Sequence, residues 1–212
     1  MSIENDPLIR VVHTAHAFLS APVGKTLQAV IYPRPHLVGD FAGLATHIFA
    51  NHPRHIQLPL TNLPLILPPT QAVKQAYDQV AADVAAYNIG ASPMMPRLRL
   101  APASNFTGDD HSPVTHFHED RLLGTSRVLC AYSGGGTEWL HTRDAQCINP
   151  TRRLYAPKPG AQIQCLPHGA LVRFIGDGHD VPPFIHRTPH LGPKDGIRML
   201  MVGHIPLPRE VT

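Results

Sequence analysis

The sequence predicts an α+β fold that is mainly β, and three features of the 212-residue chain carry that expectation. One long stretch with helical periodicity stands in the first half. Short apolar runs separated by Gly, Pro, Asn and Asp fill the second, and 23 prolines with 16 glycines make the whole chain rich in turns. Those two residue types together stay below the roughly 25–30% at which a chain reads as low-complexity or disordered. With 43% hydrophobic residues the chain can bury one sizeable core, and it is short for two ordinary domains. We therefore expect a single structural domain, divided into an N-terminal helical or irregular extension over residues 1–95 and a β core over residues 96–212.

Residues 1–18 carry Glu4, Asp6 and Arg10 within any apolar run, so they form neither a secretory signal nor a membrane span, and a cytoplasmic protein is expected. The stretches 26–32 and 41–49 are apolar but broken by Pro33, Pro35 and Pro53, which predicts short helices or strands. From Thr70 the pattern is clearer. Val73, Ala76, Tyr77, Val80, Ala81 and Val84 recur at helical spacing, with Thr70 placed to cap the start and Gly90 beyond the end. Burying such an apolar stripe is where most helix stability comes from, so this helix is given a scaffold role. From about Pro96 onward, runs at 97–100, 127–132, 162–166, 170–175 and 197–205 read as strands of an antiparallel sandwich or barrel.

The formal charge of +3 comes from scattered Lys and Arg, which gives no basic stripe for nucleic acid. Cys130, Cys147 and Cys165 are odd in number and form no C-x-x-C pair, which argues against a disulfide framework and a zinc knuckle. Gly24-Lys25-Thr26 has the ending of a phosphate loop, but the first glycine such a loop requires falls at Leu19.

The densest polar cluster is Thr115-His116-Phe117-His118-Glu119-Asp120, just ahead of an apolar strand. Alternate side chains of a strand share a face, so His118 with Asp120, or His116 with His118, can reach one ion. His186, in Ile185-His186-Arg187-Thr188-Pro189 beside the last predicted strand, is the candidate distal ligand. Two imidazoles and a carboxylate on one face of an octahedral ion leave three positions open, the arrangement of non-haem Fe(II) oxygenases. Arg198 follows twelve residues after His186 and opens the apolar strand Ile197-Arg198-Met199-Leu200-Met201-Val202. A guanidinium amid apolar residues beside a metal suggests a ligand that carries an acid.

The order of H-x-D, a distal His and an Arg about a dozen residues later resembles the Fe(II)/2-oxoglutarate-dependent dioxygenase superfamily. The resemblance covers chiefly residues 110–205. Within it, Cys130-Ala131-Tyr132-Ser133-Gly134-Gly135-Gly136-Thr137-Glu138-Trp139-Leu140 looks like the strand and turn that follow H-x-D. More closely, the chain resembles an uncharacterised bacterial family with H-x-D, then G-x-G-T-E-W, then H-R-[ST]-P and a late Arg. The resemblance implies a distorted double-stranded β-helix, or jelly roll, with the N-terminal helices packed on it. It implies Fe(II) held by His118, Asp120 and His186, and 2-oxoglutarate as cosubstrate with its distal carboxylate on Arg198. Tyr132 and Thr188 are candidates to hydrogen-bond the cosubstrate. O₂ and a small molecule would be the other partners, and hydroxylation or demethylation the outcome, in a monomer or homodimer away from membranes and nucleic acid.

Other readings stay open on the sequence. His116, His118 and Asp120 form the H-x-H-x-D of a metallo-β-lactamase-like zinc hydrolase, although Arg121 stands where that family has His. A cupin would share His116 and His118 but would need a glutamate where Leu122 or Leu123 stands. A non-catalytic metal-binding or metal-handling protein is a third reading, because two His and one carboxylate accept zinc as readily as iron. Arg127 is read as a contact to substrate or to an acid, or as a solvated strand position. Gly176 to Asp180 is read as a loop near the site entrance, and His111, His141, His168, His190 and His204 as surface residues or residues beside the site.

Overall fold

The computed structural model describes residues 6–34, 37–51, 57–59, 68–87, 97–102, 115–122, 124–177 and 179–207. Gly90 and His111 lie outside them. In chain order the elements are β1 (Ile9–Val11), α1 (Ala15–Ser20), β2 (Ala29–Tyr32), α2 (Phe41–Asn51), β3 (Gln57–Pro59), α3 (Gln71–Tyr87), β4 (Arg97–Pro102) and β5 (Phe117–His118). They continue as β6 (Thr125–Ser133), β7 (Glu138–Leu140), β8 (Ala145–Asn149), β9 (Leu154–Pro157), β10 (Gln164–Cys165), β11 (Leu171–Phe174), β12 (Ile185–Arg187) and β13 (Ile197–Pro206).

The protein is β-rich, with few helices. The strands form two curled sheets, a seven-stranded one in the order β1-β2-β11-β6-β13-β4-β3 and a six-stranded one in the order β10-β7-β12-β5-β9-β8. Pairing within both is antiparallel except between β1 and β2. The stretch expected to be a helical or irregular extension therefore supplies three strands to the larger sheet. Ala29, Val30 and Ile31 are all buried because β2 is covered on both faces and pairs with β11, whose backbone groups would otherwise end the sheet unpaired.

Alternation along the central strands divides the interior in two. Val128, Cys130 and Tyr132 of β6, with Met199, Met201 and Ile205 of β13, face the helices and pack with Phe18, Leu44, Ile48, Val73, Ala76 and Val80. Leu129 and Ala131, with Leu200 and Val202, point the other way and pack with Trp139 and Phe184 under the second sheet. Successive side chains of a strand leave on opposite sides, so a sheet covered on both faces is apolar in both registers. Helix α3 follows the sequence reading: Thr70 Oγ1 accepts from the Val73 amide at 3.2 Å, and Val73, Ala76, Val80 and Tyr87 are buried. Its stripe also contains Asp83, a buried acid. Arg34 donates to both Asp83 oxygens at 2.6 Å, and Tyr132 donates to Oδ2 at 2.5 Å. A charge taken out of water needs such partners. Among the described residues, no helix is long and apolar enough to cross a membrane.

Candidate metal centre

His118 and His186 are directly opposed in the β5–β12 pairing, with ring centroids 4.6 Å apart. Asp120 lies just past the end of β5. One ligand atom from each of the three residues falls within 4.8 Å of the other two. Asp120 Oδ1 is 3.9 Å from His118 Nε2, and its Oδ2 is 3.7 Å from His186 Nε2. The two imidazoles are oriented in the same way. His118 Nδ1 donates to the His116 carbonyl at 2.9 Å, and His186 Nδ1 donates to the Phe184 carbonyl at 3.2 Å. A carbonyl can only accept, so both rings carry a proton on Nδ1 and turn Nε2 toward Asp120. Orienting a metal-binding histidine through its other nitrogen is the usual arrangement around bound metal.

Electrostatics agree with that donor set. Burial, followed by the nearby His118, pushes the His186 imidazole down to about 3, which keeps its lone pair available. Burial also works against the charge on Asp120, but His186, Arg127, His118 and Arg99 together hold its carboxyl below the ordinary value. A neutral His186 imidazole and an ionised Asp120 carboxylate, with His118 beside them, form a donor set that suits iron, zinc or a neighbouring divalent ion.

The triad opens into a cavity of about 240 Å³ lined by further residues of both sheets, including Arg99, Arg127, Thr137, Thr188, Arg198 and Leu200. Arg198 is 4% exposed. Its Nη2 donates to Thr137 Oγ1 at 3.1 Å and its Nε to the Gly135 carbonyl at 3.4 Å. No carboxylate is paired with it among the described residues. Burial, then the charge of Arg99, pushes this guanidinium down to about 10. The glycine turn is what brings it here. Gly134 has φ +69°, and a Cβ there would lie 2.5 Å from Arg198 Cα, so only glycine allows the turn to press against β13.

Of the sequence-predicted residues, His118, Asp120, His186, Thr188 and Arg198 meet in this cavity, and Tyr132 does not. Tyr132 is an odd number of positions from Arg127 and Leu129, so the pleat sends it to the helix side, where it bonds Asp83 and stacks on Phe41 with centroids 5.3 Å apart. That parity was available in the sequence. The His116 side chain is exposed and stands outside the three-residue cluster, to which it contributes its carbonyl through His118. Gly176 does not simply border an entrance. A Cβ there would lie 1.8 Å from the Asp120 carbonyl oxygen, which accepts from the Asp177 amide at 3.2 Å. His141 and His204, expected at the surface or beside the site, are both buried.

Sequence reasoning passed over Thr137 and Arg99, whereas Arg127 contacts an acid, one of the alternatives its sequence position offered. Arg127 Nη1 donates to Asp120 Oδ2 at 2.5 Å. Arg187, also in the cavity wall, donates to Glu138 at 2.6 Å and lies 4.3 Å above the Phe117 ring.

Residues 107–202 match the model of a family described as "Protein of unknown function (DUF1826)". That is less than half of the chain, and it contains His118, Asp120, His186 and Arg198. Such a triad beside a curled antiparallel sheet is compatible with a cupin-like fold. No curated protein matches the chain. Among solved structures, it is similar to the capsular polysaccharide assembling protein CapF from Staphylococcus aureus, at 13% identity over 69% of this chain and 38% of that one, with a TM-score of 0.20. A second crystal form of CapF gives 14% identity over 76% of this chain and 43% of that one, with a TM-score of 0.19. The chain thus spans about two fifths of those structures, and likeness at that level carries no argument about fold or activity.

Proposed function

We propose that the protein is an Fe(II)- and 2-oxoglutarate-dependent oxygenase that hydroxylates or demethylates a small molecule. The observation that carries this reading is Arg198, a buried guanidinium with no acidic partner among the described residues, in the same cavity as a His–Asp–His cluster. Burying a cation costs several kcal/mol unless an anion compensates it, so a site that keeps one implies an acidic ligand. A metal store or a zinc hydrolase has no such need.

The strand order supports the jelly-roll form of the reading. Eight strands wound as a double-stranded β-helix would be arranged as β4-β13-β6-β11 facing β5-β12-β7-β10, the order found in the two sheets once β1, β2, β3, β8 and β9 are set aside as additions. The triad would then lie at one mouth of the roll.

The residues present fit the groups this reading requires. His118 and His186 would offer their Nε2 lone pairs and Asp120 a carboxylate oxygen to Fe(II). Arg198, held by Thr137 and the Gly135 carbonyl, would receive the distal carboxylate of 2-oxoglutarate, with Thr188 along the same wall. Leu129 and Leu200 give the cavity an apolar part of its wall. Held there together, ferrous iron and 2-oxoglutarate would supply the reduction of O₂ and the oxidation of a substrate C–H bond, the keto acid becoming succinate and CO₂.

The deciding experiment is anaerobic addition of Fe(II) and 2-oxoglutarate to the protein. The expected result is the visible charge-transfer band of an iron-chelated keto acid. Full iron loading without that band would overturn the proposal and leave the non-catalytic metal-binding reading.

A further inference from the structure

The two oxygens of Asp120 are nearly equivalent toward the imidazoles, one 3.9 Å from His118 and the other 3.7 Å from His186. Arg127 makes them different. We propose that Arg127 is a positioning residue that makes Asp120 a one-oxygen metal ligand, holding Oδ2 in a charged hydrogen bond so that Oδ1 is the donor left for the ion. The inference rests on the metal-centre reading above and gives a task to a residue outside the triad.

The arrangement is built from several sides. The Arg127–Asp120 contact is 2.5 Å, with the side chains 12% and 13% exposed, a short and largely dry charge-assisted bond. Arg127 is itself steered from the next strand. His204 is its cross-strand partner in the β6–β13 register, and Arg127 Nε donates to His204 Nε2 at 3.4 Å. The backbone of Asp120 is fixed from the other direction by Gly176 and Asp177. The carboxylate is therefore held at its main chain and at Oδ2, with Oδ1 facing His118 and free of any side-chain hydrogen bond to Arg127.

The consequence is a matter of coordination number. A carboxylate bound through both oxygens occupies two positions of an octahedral ion, which with two histidines leaves two. A chelating 2-oxo acid would fill both and leave none for O₂. Bound through one oxygen, Asp120 leaves three. The charge of Arg127 also offsets that of Asp120, so an anionic chelator meets a less negative centre.

Cobalt(II) tests this without turnover, because its visible bands report coordination number. The full chain is loaded with Co(II), and its spectrum and 2-oxoglutarate affinity are compared with those of Arg127→Gln and Arg127→Lys. For Arg127→Gln we expect Co(II) affinity within about threefold of the parent, because the second carboxylate oxygen replaces the lost support, a spectrum shifted toward higher coordination before any keto acid is added, and 2-oxoglutarate bound at least about tenfold more weakly, because one of its positions is taken and the charge that offsets Asp120 is gone. Arg127→Lys, which keeps a cationic donor, should lie between. If Arg127→Gln does not fold, Arg127→Lys must still shift in the same direction. An unchanged spectrum overturns the inference, as does a parallel loss of Co(II) and 2-oxoglutarate that Lys does not rescue. Failure of the parent Co(II) protein to bind 2-oxoglutarate would instead sink the oxygenase reading, and the spectrum of Arg127→Gln would still decide how Asp120 binds.

Discussion

His118 and His186 face each other across two antiparallel strands, and each spends its Nδ1 proton on a carbonyl two residues earlier in its own chain segment. The pairing register sets the distance between the rings, and the local carbonyls set their rotation. Both rings are thus oriented by backbone groups of the fold.

Arg198 should separate cosubstrate binding from metal binding. Arg198→Gln removes the cation but not the triad, and is expected to weaken 2-oxoglutarate by about 2–4 kcal/mol, roughly 30- to 1000-fold, while metal affinity stays within a few-fold. Calorimetry on the Zn(II) form reads both. Equal loss of the two would point to a structural role for Arg198.

Gly176 should be intolerant of any side chain. A Cβ there meets the Asp120 carbonyl oxygen at 1.8 Å, and that atom belongs to the backbone and cannot swing aside. Gly176→Ala is expected to destabilise the protein by about 1–3 kcal/mol and to lower metal affinity, because the shift is transmitted to Asp120. Urea unfolding together with a metal titration tests this, and a variant with parental metal affinity would refute it.

Tyr132 should matter for stability and not for the cavity. Tyr132→Phe removes a donor to the buried Asp83 carboxylate and is expected to cost about 1–3 kcal/mol. Affinity for metal and for 2-oxoglutarate should be unchanged. A loss of keto acid binding in a stably folded Tyr132→Phe protein would show that the helix side of the sheet reaches the site.

Alkaline pH should unfold the protein from the helix side. Burial pushes the Cys130 thiol up to about 12 and holds the Tyr132 phenol well above its ordinary value, so the folded state keeps both neutral. The unfolded chain releases these protons at lower pH, so stability is complete below about pH 9 and falls as pH rises toward 12. Urea midpoints between pH 8 and 10.5 should decline, and a flat profile would contradict the assignment. Thiol reagents at pH 8 should modify the exposed Cys147 and Cys165 and leave Cys130 untouched until the protein unfolds.

Much of this protein was legible in its sequence, because the decisive patterns are local. The 3.6-residue stripe after Thr70 specifies α3 and its cap, and alternation over 127–132 and 197–205 specifies two strands buried on both faces. The i, i+2 spacing of His118 and Asp120 brings their side chains to the same side of the chain, where one ion could reach both, and parity along β6 separates Arg127 from Tyr132. What the sequence leaves undecided depends on partners distant along the chain. Asp83 lies on the buried stripe of a helix only because Arg34, 49 residues earlier, neutralises it there. Residues 29–32 become a strand because β11 presents an edge that only the folded sheet creates. The cross-strand register of His118 with His186, the approach of Gly134 to Arg198 and the hold of Arg127 on Asp120 are likewise tertiary facts. A pattern can say which face a side chain leaves from, but only the packed sheets decide which charge meets it there.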